Sequence, residues 1–344
     1  MRREAVVSSR IEGTRASLSD LYAYETAQLS FLEPDSDAQE VYNDVRSMDY
    51  GLERLKDLPI SLRLIREVHT HLMEGVRGEH LTPGEFRRSQ NWIGPAGCTL
   101  ENAPYVPPPV DEMLQALDQL EKFIHMPSDL PALVRTGLIH YQFEAIHPFL
   151  DGNGRIGRLL VILLLCEWGL LPQPLLYLSA YFDANRQEYY DRLLQVSQQG
   201  NWEGWLNFFL FGVNVQSLDA AKRVMRLQDL HSAYQRRLQP ERSAERLMQT
   251  LDVLFEHPIV SVRQMEAVLQ VPYRTAQRYI EKLLDMGLLR EITGQARNRL
   301  YRADEILRAI EEPLEEGNPK TRHCRPSFRK GFVQPQEVYE NISG

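Results

Sequence analysis

The chain has 344 residues and a formal net charge of −8, with 43% hydrophobic and 25% charged residues. These values are typical of a globular protein with room for two or three domains, and the acidic balance argues against a general binder of polyanions. Its three cysteines lack any metal-binding spacing, which predicts a reducing, cytoplasmic location and no zinc site. The apolar runs are too short for a membrane span and no signal peptide is recognised, so no membrane contact is expected.

Helical periodicity dominates the first 75 residues. Residues 4 to about 31 contain few helix breakers apart from Gly13 and predict a helix. Two further amphipathic helices are predicted for residues 38 to 57 and 60 to 75, where apolar side chains recur at helical spacing. His69 lies on the second of these and is interpreted as structural, because no partner ligand pattern accompanies it.

The next segment changes character. In residues 86 to 109 short apolar runs flank a loop rich in Gly, Asn and Pro, which predicts a β-hairpin. Residues 110 to 125 and 131 to 145 predict two more helices. On the second, His140 and Glu144 stand four apart without the additional histidine of a zinc protease, so both are interpreted as supports for the loop that follows.

The C-terminal third indicates a closing helix, a linker and a small domain. Residues 201 to 215 are rich in aromatic side chains and predict a buried helix, and residues 216 to 245 predict a polar linker helix. In residues 246 to 312 two short helices, a turn and a two-stranded wing predict a winged helix-turn-helix. Low apolar content predicts a disordered tail for residues 313 to 344.

The second helix of this small domain carries side chains that can reach base edges or phosphates. They are Tyr273, Arg274, Thr275, Gln277 and Arg278. The same fold also serves as a protein-docking or dimerisation module. DNA, another protein and a second copy of the chain therefore all stay open as partners of this domain.

One string in the middle of the chain, IHPFLDGNGRIGR over residues 146 to 158, carries the chemistry. Gly152 and Gly154 can take φ > 0 and aim successive backbone N–H groups at one point. The helix that begins there adds unpaired N–H groups and a positive dipole end. Arg155 and Arg158 lie three apart on its first turns. This pattern predicts a polyphosphate pocket.

The same string contains G-x-G-x-x-G, the dinucleotide-binding fingerprint. That motif must follow a β-strand in a βαβ unit. Here the preceding segment is predicted to be a helix, and His147-Pro148 ends it, because a residue before proline is disfavoured in the α region. The dinucleotide interpretation is therefore rejected.

The string resembles the signature of the Fic family, H-P-F-x-[D/E]-G-N-G-R-x-x-R, and matches it at every fixed position. Members of that family are mostly transferases that move AMP from ATP onto a protein hydroxyl. The resemblance covers about the first two-thirds of the chain. It implies a mainly α fold, a Fic-type helical bundle with a β-hairpin flap over residues 37 to 215, followed by the winged helix-turn-helix domain.

The resemblance also implies roles for the residues of the string. His147 would be the general base that takes the proton of the attacking hydroxyl, and Asp151 would hold Mg²⁺. Phosphates of ATP would be bound by Gly152, Asn153, Gly154, Arg155 and Arg158.

Residues outside the string are implied as well. Ile93 and Gly94, in a hairpin that resembles the Fic flap, would border the nucleotide while the flap edge aligns the target backbone. Tyr189 and Tyr190 would lie beside the adenine, where a tyrosine face can stack on a base.

Residues 1 to 36 resemble the family's inhibitory region. Ser8 and Glu12 occupy the fixed positions of the pattern [S/T]-x-x-x-E-[G/N]. The Glu12 carboxylate would pair with Arg158 and occupy the guanidinium that should bind the γ-phosphate. The alternative is that Glu12 is a surface residue near a helix end capped by Gly13.

The resemblance thus predicts a nucleotidyltransferase, a protein adenylyltransferase that modifies a Ser, Thr or Tyr hydroxyl of another protein or of itself. A DNA-binding regulator with a silent Fic domain is the alternative from another class. An enzyme that removes AMP, with Glu12 aligning water, or one that uses another donor also stays open, because the pocket residues do not decide among these.

Overall fold

Helices with buried apolar faces make up most of the fold in a computed structural model, which describes residues 1–28, 36–95, 97–295 and 297–312. The predicted tail at residues 313–344 lies outside the described residues. The first part of the chain contains α1 (Arg2–Ile11), α2 (Leu18–Gln28), α3 (Ser36–Arg54), α4 (Leu62–Leu72), α5 (Val110–His125), α6 (Ala132–Ile146) and α7 (Asn153–Glu167). The prediction of a mainly α fold is confirmed.

The second part of the chain contains the remaining helices and three short strands. They are α8 (Leu178–Ala184), α9 (Arg186–Gln199), α10 (Trp202–Leu238), α11 (Ala244–Glu256), β1 (Ile259–Ser261), α12 (Val262–Leu269), α13 (Tyr273–Asp285), β2 (Arg290–Glu291), β3 (Leu300–Arg302) and α14 (Asp304–Glu311). Within the described ranges, no helix combines the length and the apolar character that crossing a membrane requires.

Helix α7 lies at the centre of the main core. Its residues from Ile156 to Leu165 are buried on every side of the helix. A helix that is apolar all round must be enclosed by other elements, and α3, α4 and α6 pack against this one. The first turn of α7 is consequently held rigidly at the place where the glycine-containing string ends.

The N-terminal helix predicted for residues 4 to 31 is divided into α1 and α2. Gly13 has φ +104°, a left-handed conformation that ends α1. Helix α2 then begins at a reciprocal cap, in which the Asp20 N–H donates to Ser17 Oγ (3.1 Å) and the Ser17 N–H donates to Asp20 Oδ2 (2.8 Å). Glu12 therefore stands at a helix end, beside a turn.

The predicted hairpin of residues 86 to 109 is reduced to one antiparallel bridge between Ile93 and Tyr105. The Ile93 N–H donates to the Tyr105 carbonyl at 2.9 Å, and the reverse bond measures 3.4 Å. Prolines at 95, 104 and 107 to 109 have no N–H to extend the ladder. The Tyr105 hydroxyl donates to the Ala145 carbonyl (2.9 Å), which anchors this segment beside the end of α6.

Helix α10 is continuous over 37 residues and passes through the predicted boundary at residue 215. Asn201 caps its start by accepting from the Gly204 N–H (3.0 Å). No proline or glycine occurs between Val213 and Leu238 to interrupt it. The predicted closing helix and linker helix are thus one element, and it contributes Phe209 to the main core and Tyr234 to a second core.

The C-terminal elements surround that second core. The three strands form an antiparallel sheet in the order β1-β3-β2, with Val260 opposite Tyr301. Ser261 caps α12 by accepting from the Gln264 N–H (3.2 Å), and Gln270 in the left-handed conformation ends it. Helices α12 and α13 follow each other across a short turn, in the order that the sequence predicts. Assignment of a winged helix-turn-helix stays a prediction.

Candidate nucleotide site

The loop between α6 and α7 begins and ends at residues with positive φ. His147 ends α6 with φ 48°, and Gly152 precedes α7 with φ 75°. A left-handed histidine is uncommon, but the proline that follows disfavours the α region for His147. The chain therefore leaves α6 at the histidine and enters α7 at the glycine, which makes a tight connection between two packed helices.

Asparagine side chains close this connection. Asn153 accepts from the Phe149 N–H (2.8 Å) and donates to the Phe149 carbonyl (2.9 Å). Asn91 donates to the carbonyls of Phe149 (3.0 Å) and His147 (3.2 Å). The buried Asn153 side chain thus shapes the loop, and what it can offer a ligand is the backbone N–H at the start of α7.

His69 supports the loop from α4. Its ring stacks on Phe149 with centroids 3.7 Å apart and an interplanar angle of 6°. The Gly84 N–H donates to Nδ1 (2.8 Å), so Nε2 carries the proton and donates to the Asp151 carbonyl (3.0 Å). Burial lowers the His69 pKa to about 4, which keeps the ring neutral. The structural role predicted for His69 agrees with these contacts.

Arg87 is a support that sequence reasoning missed. It is buried, and it donates to the carbonyls of His147 (3.0 Å), Ser89 (3.1 Å) and Pro108. A guanidinium with three carbonyl acceptors ties the bridge segment to the loop. The sequence offers no signal for this role, because Arg87 and Arg88 are adjacent arginines and nothing in the sequence shows which of them is buried. In the structure Arg88 is exposed.

The His147 side chain is held in the form that a general base requires. Its Nδ1 lies 3.3 Å from the Glu144 carbonyl, which can only accept, so Nδ1 carries the proton and Nε2 keeps its lone pair. Burial lowers the His147 pKa to about 4, against the opposing effects of the Glu144 carbonyl and of Glu12. At neutral pH the ring is therefore uncharged and Nε2 is able to accept a proton.

Asp151 presents its carboxylate between two turns. Oδ1 accepts from the Gly152 N–H (2.7 Å), and Oδ2 faces Gly78, where a Cβ would lie 2.7 Å away. In the part of the chain that the structure describes, no cluster of three His, Cys, Asp or Glu side chains could hold a metal ion. Mg²⁺ is commonly bound by one or two carboxylates together with substrate phosphates, so Asp151 fits an ion that arrives with a nucleotide.

Arg158 receives Ser8 and Glu12 from helix α1. It is only 3% exposed, and its Nε donates to Ser8 Oγ at 3.0 Å. Its Nη2 donates to the Ser8 carbonyl (3.1 Å) and to Glu12 Oε1 (2.7 Å). The structure thus brings Ser8 and Glu12 to Arg158, as the inhibitory pattern predicts, although about 150 residues separate them from it in the sequence.

The Glu12 carboxylate also lies against the glycine turn. A Cβ on Gly154 would clash with Glu12 Oε1 and would lie 2.9 Å from Arg158 Nη1, so only glycine permits this approach. Burial alone would raise the Glu12 pKa, but the charge and hydrogen bond of Arg158, with Arg155 and His147, lower it overall. A carboxylate therefore occupies the first turn of α7, where a helix attracts anions.

Arg155 faces a different neighbourhood. Its Nη2 lies 3.6 Å from Met73 Sδ, and its Nη1 lies 3.9 Å from Glu40 Oε2 on α3. Both Arg155 and Glu40 are buried. The structure brings Arg158 to Glu12 but gives Arg155 other contacts, and phosphate binding by Arg155 stays a prediction.

The two tyrosines predicted beside the adenine have different surroundings. Tyr189 is 1% exposed, donates to His140 Nε2 (2.9 Å) and stacks on Phe182 with centroids 4.4 Å apart. It has no open face on which a base could stack, which argues against that role for Tyr189. Tyr190 is 39% exposed, and Glu12 and Arg158 both act on its pKa, which burial raises. Adenine stacking is therefore retained for Tyr190 alone.

The two flap residues lie on the bridge segment. Ile93 is the bridged residue, and Gly94 follows it in a turn too tight for a side chain, because a Cβ there would lie 2.7 Å from both Cys98 Sγ and Pro104. Gly94 is exposed. Their predicted place beside a nucleotide stays a prediction.

Glu144 is a second carboxyl group close to Arg158. It packs over Gly157, where a Cβ would clash with Oε1. Among the residues that the structure describes, this buried oxygen has no hydrogen-bond partner. Burial raises the Glu144 pKa to about 7, with Arg158 opposing and Glu12 reinforcing the change.

The substitution Glu144→Gln is expected to stabilise the protein above pH 7. Because burial raises the Glu144 pKa to about 7, the folded state opposes the ionisation that the unfolded state undergoes freely. The wild type therefore loses stability as the pH rises above the unfolded pKa of this carboxyl, and below that pKa the loss is absent. The gain in the free energy of unfolding over the wild type should grow between pH 5 and pH 8, on the order of 2 kcal/mol. Urea unfolding at both pH values measures it.

The matched control is Glu256→Gln, the same chemical change at an exposed position. It should shift the free energy of unfolding equally at the two pH values. A Glu144→Gln variant with the same pH dependence as the wild type would contradict the assignment of a buried, unsatisfied carboxyl.

The fold is a helical bundle around a central buried helix, and a carboxylate from the N-terminal helix is paired with an arginine near the start of that central helix. Residues 59–165 match the profile described as Fic/DOC family, and residues 1–53 match that described as Fic/DOC family N-terminal. The chain therefore contains a Fic/DOC domain preceded by the family's N-terminal region, as predicted.

Similar curated proteins carry the name protein adenylyltransferase Fic. Those of Drosophila erecta and Drosophila virilis are 25% and 26% identical over 205 residues, which is 58% of this chain and 37% and 38% of theirs. The chain thus spans less than two-fifths of the length of these relatives. A crystal structure of a Fic family protein from Desulfovibrio desulfuricans G20 has a TM-score of 0.54 at 20% identity, covering 88% of this chain and 87% of that one. This likeness confirms the Fic-type fold.

Proposed function

We propose that the chain is a protein adenylyltransferase, autoinhibited by Glu12. The observation that carries the proposal is the contact of Glu12 with Arg158 over the glycine turn, beside a neutral His147. The place taken by the carboxylate has the donors and the charge that a terminal phosphate would use. The relatives named protein adenylyltransferase Fic support AMP as the group transferred.

In the proposed reaction a target Ser, Thr or Tyr oxygen attacks the α-phosphorus of ATP. The bond from that phosphorus to the oxygen bridging the α- and β-phosphates breaks, and pyrophosphate leaves. His147 Nε2 takes the hydroxyl proton as the new P–O bond forms. The backbone N–H groups at the start of α7 and the Arg158 guanidinium offset the charge that builds on the phosphate oxygens.

Asp151 is the residue that would hold Mg²⁺ together with the phosphates of ATP. When bound, the ion would neutralise phosphate charge in the transition state. The bond from the Gly152 N–H to Asp151 Oδ1 fixes the carboxylate at the edge of the loop, and His69 holds the Asp151 backbone. These two contacts fix the position of the Asp151 carboxylate that would bind the ion.

Inhibition follows from competition for Arg158. A γ-phosphate would need the guanidinium edge that Glu12 and Ser8 occupy. Because Glu12 also lies on Gly154, ATP in this conformation could enter only in a pose displaced from the turn. Release of Glu12 is therefore the step that admits ATP in line with His147.

Intact-mass spectrometry after incubation with Mg²⁺ and ATP tests the proposal. A mass increase of one adenylyl group on the protein, stronger in a Glu12→Gly variant, is the expected result. A different added group would show another donor chemistry. Loss of AMP from protein that already carries it, in the absence of ATP, would show that removal dominates. No covalent change in either protein, with no target modified in a lysate, would contradict the proposal.

A test of adenine contact is Tyr190→Ala in the Glu12→Gly background. Stacking on an aromatic ring contributes about 1–3 kcal/mol per base, so KM for ATP is expected to rise roughly five- to a hundredfold. Tyr190→Phe keeps the ring and should leave KM nearly unchanged. Initial rates of self-labelling across ATP concentrations measure both. An unchanged KM in the alanine variant would remove Tyr190 from the site.

A second candidate function rests on α13. Its exposed face presents Tyr273, Arg274, Gln277 and Arg278. Such a face suits phosphate or base contacts, and it suits a protein partner equally well. A gel shift with genomic fragments, run beside a nucleotide-binding assay, separates the candidates. Specific DNA binding without binding of Mg-ATP would favour a regulator with a silent Fic domain.

A further inference from the structure

The N-terminal end of helix α1 is connected to the C-terminal elements through one carboxylate on α10. Arg3 Nη1 lies 3.3 Å from Asp219 Oδ2. Arg223 donates to the same carboxylate from Nε (3.1 Å) and from Nη2 (2.9 and 3.0 Å). Asp219 thus separates two arginines, and without it the Arg3 and Arg223 charges would face each other.

Arg223 continues the connection to the end of α14. It is buried, and its Nη1 donates to the Ile310 carbonyl and to the Glu312 carbonyl (3.0 Å). These are carbonyls at the C-terminal end of a helix, where a cation is favoured. A polar path therefore runs from α1 through Asp219 and Arg223 to the last helix of the C-terminal elements.

A shared apolar cluster runs beside this path. It joins side chains of α1, α2 and α3 to side chains of β1, β3 and α14 in one buried group. Its members include Ala5, Val6, Leu18, Leu21, Val41, Ile259, Leu300 and Leu307. The inhibitory region and the C-terminal elements therefore bury apolar surface against each other, and separating them would expose it to water.

Hydrogen bonds join the two parts at α2 as well. Thr26 Oγ1 shares its one proton between the Ile259 carbonyl (3.0 Å) on β1 and the Tyr22 carbonyl (2.8 Å) of its own helix. The Arg302 Nη1 donates to Ser19 Oγ at 3.4 Å. Helix α2 therefore lies between α1 and the small sheet and is bonded to the sheet.

Helix α1 connects these contacts to the position of Glu12. Arg3 and Glu12 lie near opposite ends of a helix about 15 Å long, and one rigid helix moves both. Its far end is fixed by Glu12 and Ser8 on Arg158. Its near end is fixed by Asp219 and by the shared cluster. Release of the near end removes part of what holds Glu12 on the glycine turn.

We propose that the C-terminal elements, residues 244–312, act as a clamp on the inhibitory helix, so that their displacement by a ligand releases Glu12 and activates the site. The proposal rests on the function proposed above and names its regulation. In this proposal the release of α1 leads to the transfer of AMP, but each of the two events has its own measurement.

Two substitutions loosen the clamp without touching the site. Asp219→Ala removes the carboxylate between Arg3 and Arg223, and Asp229→Ala makes the same change at an exposed position of α10. Thr26→Val removes the contact with β1, and Thr136→Val, outside the clamp, removes a buried threonine hydroxyl that donates to the Ala132 carbonyl of its own helix. In each pair, only the first substitution removes a contact that connects the N-terminal helices to α10 or β1.

Hydrogen–deuterium exchange of the α1 amides is the first readout, on the full chain at pH 7. Asp219→Ala is expected to speed exchange in α1 on the order of tenfold, the ratio that loss of a charged hydrogen bond provides, and Thr26→Val by a smaller factor. Self-labelling with ATP, the second readout, should rise in the same order. Circular dichroism and thermal melting verify that each variant is folded.

Unchanged exchange of α1 in both Asp219→Ala and Thr26→Val overturns the clamp, whether or not the α14 amides exchange faster. Equal acceleration by the controls Asp229→Ala and Thr136→Val also overturns it. If Glu12→Gly shows no AMP transfer, the proposed function fails, while exchange of α1 still decides the clamp by itself.

Discussion

Self-labelling by ATP is expected to rise roughly ten- to a hundredfold when Glu12 is replaced by glycine. The Glu12 carboxylate is held by a 2.7 Å hydrogen bond to Arg158 and fills the space above Gly154. A hydrogen bond between charged groups contributes about 1.5–3 kcal/mol, which corresponds to that ratio. The carboxylate has no other function in the proposed transfer, so its removal frees the pocket and leaves the catalytic groups unchanged.

The effect is measured as the initial rate of transfer from radiolabelled ATP, with the fraction of folded protein verified for each sample. Glu12→Gln keeps the size of the side chain and removes its charge, so its rate should lie between those of the wild type and Glu12→Gly. Nucleotide affinity should rise in the same order. Equal rates in all three proteins would remove Glu12 from any inhibitory role.

Loss of His147 should have the opposite effect. In the Glu12→Gly background, His147→Ala is expected to lower the rate of transfer by about 10²- to 10⁴-fold, the usual contribution of a positioned general base. The neutral ring and the free Nε2 are what the reaction uses, and the hydrogen bond to the Glu144 carbonyl sets that tautomer. Binding of Mg-ATP should persist, because phosphate contacts are made by other groups.

The control for this substitution is His80→Ala, since His80 is an exposed histidine in the loop after α4. It should leave the rate unchanged. With His147 present, activity should be level near pH 7 and fall as the pH drops through about 4, the pKa at which the ring becomes protonated. Transfer by His147→Ala at the rate of its parent would refute the assignment of the base.

Local patterns in the sequence determined the parts of the site that depend on neighbouring residues. Gly152, with φ 75°, and the proline after His147 set the backbone of the turn, because conformational preference acts within a few residues. The positive φ expected for Gly154 is not observed, since this residue already lies in α7, and its lack of a side chain instead admits the Glu12 carboxylate. The apolar run after Gly157 required a buried helix, and α7 is buried all round. The family and its fold followed from the string itself, and both are confirmed.

Side-chain partners from distant parts of the chain could not be found in this way. Tyr189 and Tyr190 are neighbours of the same type, yet one is enclosed by Phe182 and His140 and the other is exposed. Arg87 and Arg88 differ likewise. Which member of such a pair is buried depends on helices that are distant in sequence. The two residues themselves give no information about those helices.

The sequence by itself determined that an apolar, buried helix begins at the Gly-Asn-Gly string, and it predicted an anion site there, because the first N–H groups of a helix have no partner within it. Only the tertiary structure decided what lies over that turn and what holds it there. The contact of Glu12 with Arg158, and the path from Arg3 through Asp219 to α14, join segments separated by most of the chain. Such contacts arise from packing of whole helices, which no local pattern specifies.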